Sequence, residues 1–197
     1  MQSLSAHEAK QWCLSAGLKL APDGRLRYKR ATTDRFFLGE PEEHRRIVLL
    51  ARSLSLFRNE ADFAGGLLWL RRWNIGAPEM VRAGWLILEN IRRAHGDSRS
   101  LELAPAQLFR SDESAELQCF LIQVIAFGWV VEFVPSSGQF FAHFKDNGQI
   151  CVESDSQDTQ RELRKYLEGW SLTNEDPMVA QIATLAKRRR AKRALPG

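Results

Sequence analysis

The sequence predicts an α+β protein. A helix-rich N-terminal two-thirds with one small hairpin leads into a helix, a three-stranded antiparallel meander, a second helix and a C-terminal helical tail. Three observations carry this. Apolar residues recur at helical spacing through much of 41–95. Three Phe- and Val-rich segments between 129 and 153 are separated by Pro135-Ser136-Ser137-Gly138 and Asp146-Asn147-Gly148. These are turn sequences, because Gly and Asn accept positive φ. A hydrophobic fraction of 44%, with six Trp and eleven Phe, supplies enough apolar area for a sizeable core. The 197 residues suit a single globular α+β domain over 1–172, in which 1–96 and 97–172 could form lobes. Residues 173–197 read as an amphipathic helix ending in a basic tail.

Ser5-Ala6-His7-Glu8 is a capping box and starts a short helix that stops near Gly17. Alternation on either side of Pro22-Asp23-Gly24 predicts the hairpin. Its second strand sets Arg25, Arg27 and Lys29 on one face and Leu26 and Tyr28 on the other. Pro41-Glu42-Glu43 opens the next helix, with Ile47, Leu50, Ala51, Leu54 and Phe57 as its buried stripe. A further helix is expected from Asn59 to Trp73. Gly65-Gly66 would cost it about 1 kcal/mol each, tolerable where another backbone packs closely. Pro78-Glu79 starts the next helix, with Val81, Gly84, Trp85, Leu88 and Ile91 on one face and a Glu89–Arg93 pair outside. Residues 97–110 read as irregular.

Asp112-Glu113 caps the helix that enters the meander, and Gly128 stops it. A four-residue first loop would pair Phe133 with Phe140 and Val131 with Ala142. A three-residue second loop with Gly148 left-handed pairs Phe144 with Ile150 and Ala142 with Val152. One face is then apolar throughout. The other carries Val130, Glu132, Val134, Phe141, His143, Cys151 and Glu153, with His143 opposite Cys151. The closing helix presents Thr159, Leu163, Tyr166, Leu167 and Trp170 to the apolar face and ends at Gly169.

Charge and cysteine usage narrow the function classes. The net charge is +4, but Lys187, Arg188, Arg189, Arg190, Lys192 and Arg193 hold six of the 28 basic residues. The remaining 22 face 24 acidic ones, a net of −2, so basicity belongs to the tail. Cys13, Cys119 and Cys151 are too widely spaced for a disulfide framework or a zinc site. The four His residues form no metal pattern, and there is no phosphate-binding glycine motif, so neither metal nor cofactor is expected. The longest uncharged apolar run, Leu117 to Val131, is 15 residues and falls short of the roughly 20 a membrane span needs. The N-terminus lacks the apolar core of a signal peptide. A cytoplasmic protein without membrane contact is expected.

Three functions follow from the residues. The first is a non-enzymatic protein-interaction or self-associating module. It would use the meander's unpaired edges and Val130, Val134 and Phe141, rimmed by Glu132 and Glu153. The second is a nucleic-acid or polyanion contact through the tail, to which Arg25, Arg27 and Lys29 could add. If all six tail charges met phosphates, binding would weaken with a log–log salt slope of about −5. The third is an enzyme with Cys151 as nucleophile, His143 as base and Glu132 orienting the ring.

Overall fold

The computed structural model describes residues 1–29, 35–39, 41–57, 65–73, 78–176 and 179, without the side chains of 80 and 81. In chain order the elements are β1 (Gln2–Leu4), α1 (Ala6–Ser15), β2 (Leu18–Leu20), β3 (Leu26–Tyr28), β4 (Arg35–Gly39), α2 (His44–Leu56), β5 (Gly66–Arg72) and α3 (Pro78–Ala94). Then follow β6 (Ala106–Phe109), α4 (Ser114–Ala126), β7 (Val130–Pro135), β8 (Phe140–Phe144), β9 (Gln149–Ser154), α5 (Gln157–Tyr166) and β10 (Leu172–Thr173). Eight strands form one antiparallel sheet in the order β1-β6-β5-β7-β8-β9-β4-β10, and β2 pairs with β3 in a separate hairpin. The sheet interleaves strands from both halves of the chain: β6 lies between β1 and β5, and β4 lies between β9 and β10.

The helix-rich N-terminal region with an isolated meander is therefore corrected to a mixed fold on an eight-stranded sheet with five helices among the described residues. The main reason is β5. Leu67, Leu68, Trp69 and Leu70 are all buried, because the strand is covered on both faces. A short continuous apolar run does not distinguish a doubly covered strand from a buried helix. The close packing expected at Gly65-Gly66 is present, but against strands. A Cβ on Gly65 would lie 2.2 Å from the Phe109 carbonyl oxygen, and one on Gly66 would lie 2.9 Å from that of Val134. Gly65 also holds φ +85°, which a side chain resists. Strands β1, β4, β6 and β10 have two to five residues, too few to show a period by themselves.

Helix α4, the three strands β7, β8 and β9, and helix α5 succeed one another as the sequence predicts. The second turn keeps its predicted register, Phe144 with Ile150, His143 with Cys151 and Ala142 with Val152, with Gly148 at φ 75°. The first turn does not. Phe133 pairs with Ala142 and Val131 with Phe144, two residues from the expected register. Strand β7 continues to Pro135, whose carbonyl accepts the Gly138 amide at 2.9 Å. A two-residue shift changes partners but preserves faces, since strand side chains alternate with period two.

Leu68, Leu70, Val131, Phe133, Ala142, Phe144, Ile150 and Val152 form the core under the helices, joined by Leu50 and Leu54 of α2, Leu117, Phe120, Leu121 and Val124 of α4, and Leu163 of α5. The opposite face has its own cover. Cys13 of α1 and Leu18, Leu26 and Tyr28 of the hairpin pack on Leu67, Trp69, Val134 and Phe141. The interaction surface expected at Val134 and Phe141 is thus a second core, with both residues buried. Nor are β7 and β9 edges, since β5 and β4 pair with them. The sheet ends instead on the short strands β1 and β10. Among the described residues, no helix is long and apolar enough to cross a membrane.

Candidate functional site: a polar cleft at Glu132 and His143

One row of side chains crosses the hairpin-covered face. Its register runs Trp69, Glu132, His143, Cys151 and Phe37 on five successive strands. Two aromatic residues thus flank the carboxylate, imidazole and thiol that the sequence placed on one face. The strands hold the row, and α1 and the hairpin close over part of it.

Glu132 sits at the foot of the site, its side chain 1% exposed. Oε1 accepts the Leu26 amide at 3.2 Å, so the hairpin backbone docks on this carboxylate. The same oxygen lies 3.7 Å from His143 Nδ1, too far for a hydrogen bond. Oε2 lies 3.7 Å from Arg71 Nε. Neither Glu132 Oε2 nor His143 Nδ1 has a hydrogen-bond partner among the described residues. The His143 ring is half-buried, and Nδ1 is its enclosed nitrogen.

A bulge delivers Arg71. The register of β5 with β7 slips between Leu70 and Arg72, which inserts one extra residue. Such bulges re-aim side chains. Arg71 lies with its guanidinium 4.0 Å from the Trp69 ring centroid, and Nη2 donates to the Gly24 carbonyl at 2.6 Å. The guanidinium is thereby held between ring, carbonyl and carboxylate.

Above these groups a cleft of about 400 Å³ opens between the hairpin turn, the ends of β5 and β7, and the turn from β8 to β9. Its charged residues come in pairs. Arg25 lies 3.6 Å from Asp23, Lys145 lies 2.8 Å from Asp176, and Arg72 pairs with Asp146. The Lys145 ammonium also lies 4.7 Å from the Phe37 ring centroid.

Of the residues expected to do chemistry, Glu132 and His143 line the cleft with Val130. Cys151 does not. It is buried beside Glu153, and burial, then the Glu153 charge, pushes its thiol up to about 11. A nucleophilic cysteine needs the opposite shift. The Cys13 thiol under α1 is pushed up to about 12, first by burial and then by Glu132. Glu153 is also buried, and burial raises its carboxyl despite an ion pair with Arg27 at 3.0 Å.

The row expected from Arg25, Arg27 and Lys29 is divided by these partners. Arg25 lies on the cleft rim and Arg27 is tied to Glu153. Lys29 lines a separate groove of about 430 Å³ beside Tyr28, Gly138 and Asp155. Tail residues Lys187, Arg188, Arg189, Arg190, Lys192 and Arg193 lie outside the described residues. Among the described residues, no group of three or more His, Cys, Asp or Glu side chains could hold a metal ion.

Sequence reasoning missed Arg71, Arg72, Lys145, Asp146 and Asp176. One signal was available: Arg71-Arg72 ends an apolar run, marking where the chain comes back to solvent. Comparison of the chain with family models, curated proteins and solved structures finds no match.

Proposed function

We propose that this chain is a ligand-binding protein that takes a small polar molecule in the cleft over His143 and Arg71. One observation carries the reading: a fully buried carboxylate, Glu132, stands at the foot of an open cleft with one oxygen unbonded and an unbonded imidazole nitrogen beside it. Buried polar atoms are nearly always satisfied, and an exception calls for an explanation such as a binding role. The structural bond to the Leu26 amide uses only Oε1 and needs no charge, which leaves Oε2 unexplained. The cleft volume falls within the roughly 300–1,000 Å³ typical of small-molecule sites.

Histidine proton resonances test this directly. The Cε1–H signal of His143 is assigned by its loss in His143→Gln. The protein is then titrated with amino acids, amines, carboxylates, phosphates, sugars and nucleosides. At least one class should shift or broaden the His143 signal while those of His7, His44 and His95 stay in place. If no class moves it, the cleft is not a ligand site.

A further inference from the structure

We infer that the ligand of the cleft is a small zwitterion of amino-acid size, carrying one ammonium and one carboxylate. This rests on reading the cleft as a ligand site. The first argument is charge balance. The described residues lining the cleft include four cations, Arg25, Arg71, Arg72 and Lys145, and four acids that stand against them pair by pair. A ligand of a single sign meets as much repulsion as attraction there. A dipolar ligand can set each of its charges against the opposite sign.

The second argument is the pair at the foot. Arg71 and Glu132 approach to 3.7 Å without a hydrogen bond, and Glu132 Oε2 has no other partner among the described residues. A zwitterion that parts them gives each group a charge-assisted bond. Its ammonium donates to Glu132 Oε2. Its carboxylate accepts from the guanidinium, which Trp69 and the Gly24 carbonyl already hold in place. An α-amino acid carries its two charges close together, which suits groups so near each other. His143 lines the cleft beside them. Uncharged sugars are less suited, because among the described residues no Trp, Tyr or Phe lines the cleft to stack on them.

The test is calorimetric titration of the full chain with neutral L-α-amino acids, each beside its amide, which lacks the carboxylate, and its N-acetyl derivative, which lacks the ammonium. At least one free amino acid should bind ten times more tightly than both derivatives. Arg71→Met should weaken that binding at least tenfold, and Lys29→Met, outside the cleft, should leave it unchanged. If a derivative binds as tightly as the parent, or Arg71→Met is without effect in a folded protein, the zwitterion assignment is wrong. The same holds if only uncharged sugars or nucleosides bind, although the cleft is then still a ligand site. If nothing binds and the His143 resonance stays unmoved, both readings fall together. Should Arg71→Met fail to fold, the comparison of each amino acid with its two derivatives decides by itself.

Discussion

The two faces of the sheet are built from the same strands and differ in what they bury. Under the helices, Val131, Phe133, Ala142, Phe144, Ile150 and Val152 pack with apolar side chains of α2, α4 and α5, and Phe133 packs edge-on against Phe140 with ring centroids 6.1 Å apart. Under α1 and the hairpin, Leu67, Trp69, Val134 and Phe141 share the face with Glu132, His143 and Glu153. Polar groups occur on the helical side too, and there Arg92 Nη1 and Trp129 Nε1 are buried without a hydrogen-bond partner among the described residues. Buried Arg92 donates to Ser3 Oγ and to Asp97, at 3.2 and 3.0 Å. On the hairpin side, Glu132 and His143, which keep unpaired atoms, are also residues that line the cleft of about 400 Å³. The difference points to a division of labour. One face is packed for stability, and the other sets a carboxylate and an imidazole against an open cleft.

That division can be broken by substitution. Phe133→Ala should cost the most, about 3–5 kcal/mol, because it removes a fully buried aromatic side chain from the helical core. Urea unfolding measures it, and a cost near 1 kcal/mol would mean that this face is not the stabilising one.

Asp97→Asn should come next, at roughly 3 kcal/mol, because it strips the counter-charge from a buried arginine. The effect carries a pH signature. Burial alone would raise the Asp97 carboxyl, but hydrogen bonds from Arg99, Ser3 and Arg92 outweigh it and hold the group well below its ordinary 3.8. A depressed acid stabilises the fold above its unfolded value and loses that contribution as pH falls through the folded one. The gap between wild type and Asp97→Asn should therefore be full at neutral pH and shrink below about 3.8. A gap that widens in acid would contradict this.

Glu132→Gln should cost only about 1 kcal/mol. The amide oxygen still accepts from Leu26, and Arg71 is partly exposed and was never hydrogen-bonded to the carboxylate. Ligand binding in the cleft should nevertheless be lost. A stability cost as large as that of Phe133→Ala would make Glu132 a structural residue and remove the contrast between the faces.

The smallest effect is kinetic. Exposed Cys119 should be alkylated by iodoacetamide at neutral pH, while buried Cys13 and Cys151 should react only on unfolding. Peptide mapping by mass spectrometry would show it. Early labelling of Cys151 would mean that the cover opens readily.

Much local structure was legible because its causes are local. The Ser5–Glu8 capping box forms with both reciprocal bonds, at 2.7 and 3.3 Å. The α2 stripe of Ile47, Leu50, Ala51 and Leu54 is buried as its spacing requires. The Asp146-Asn147-Gly148 turn sets its register through one left-handed glycine. What misled was also physical. In β5 burial on both faces erases the alternation that marks a strand. In β7, Pro135 looked like a loop residue, yet it continues the strand.

By itself the sequence determined which side chains of β7, β8 and β9 share a face. Alternation is a property of one strand and needs no partner. That was enough to put Glu132, His143 and Cys151 together. Only the tertiary structure decided what each could do. The hairpin amide on Glu132, the bulge that aims Arg71 and the burial of Cys151 all come from segments distant in the chain. Their placement depends on which surfaces the whole sheet leaves to be covered, and no local pattern encodes that.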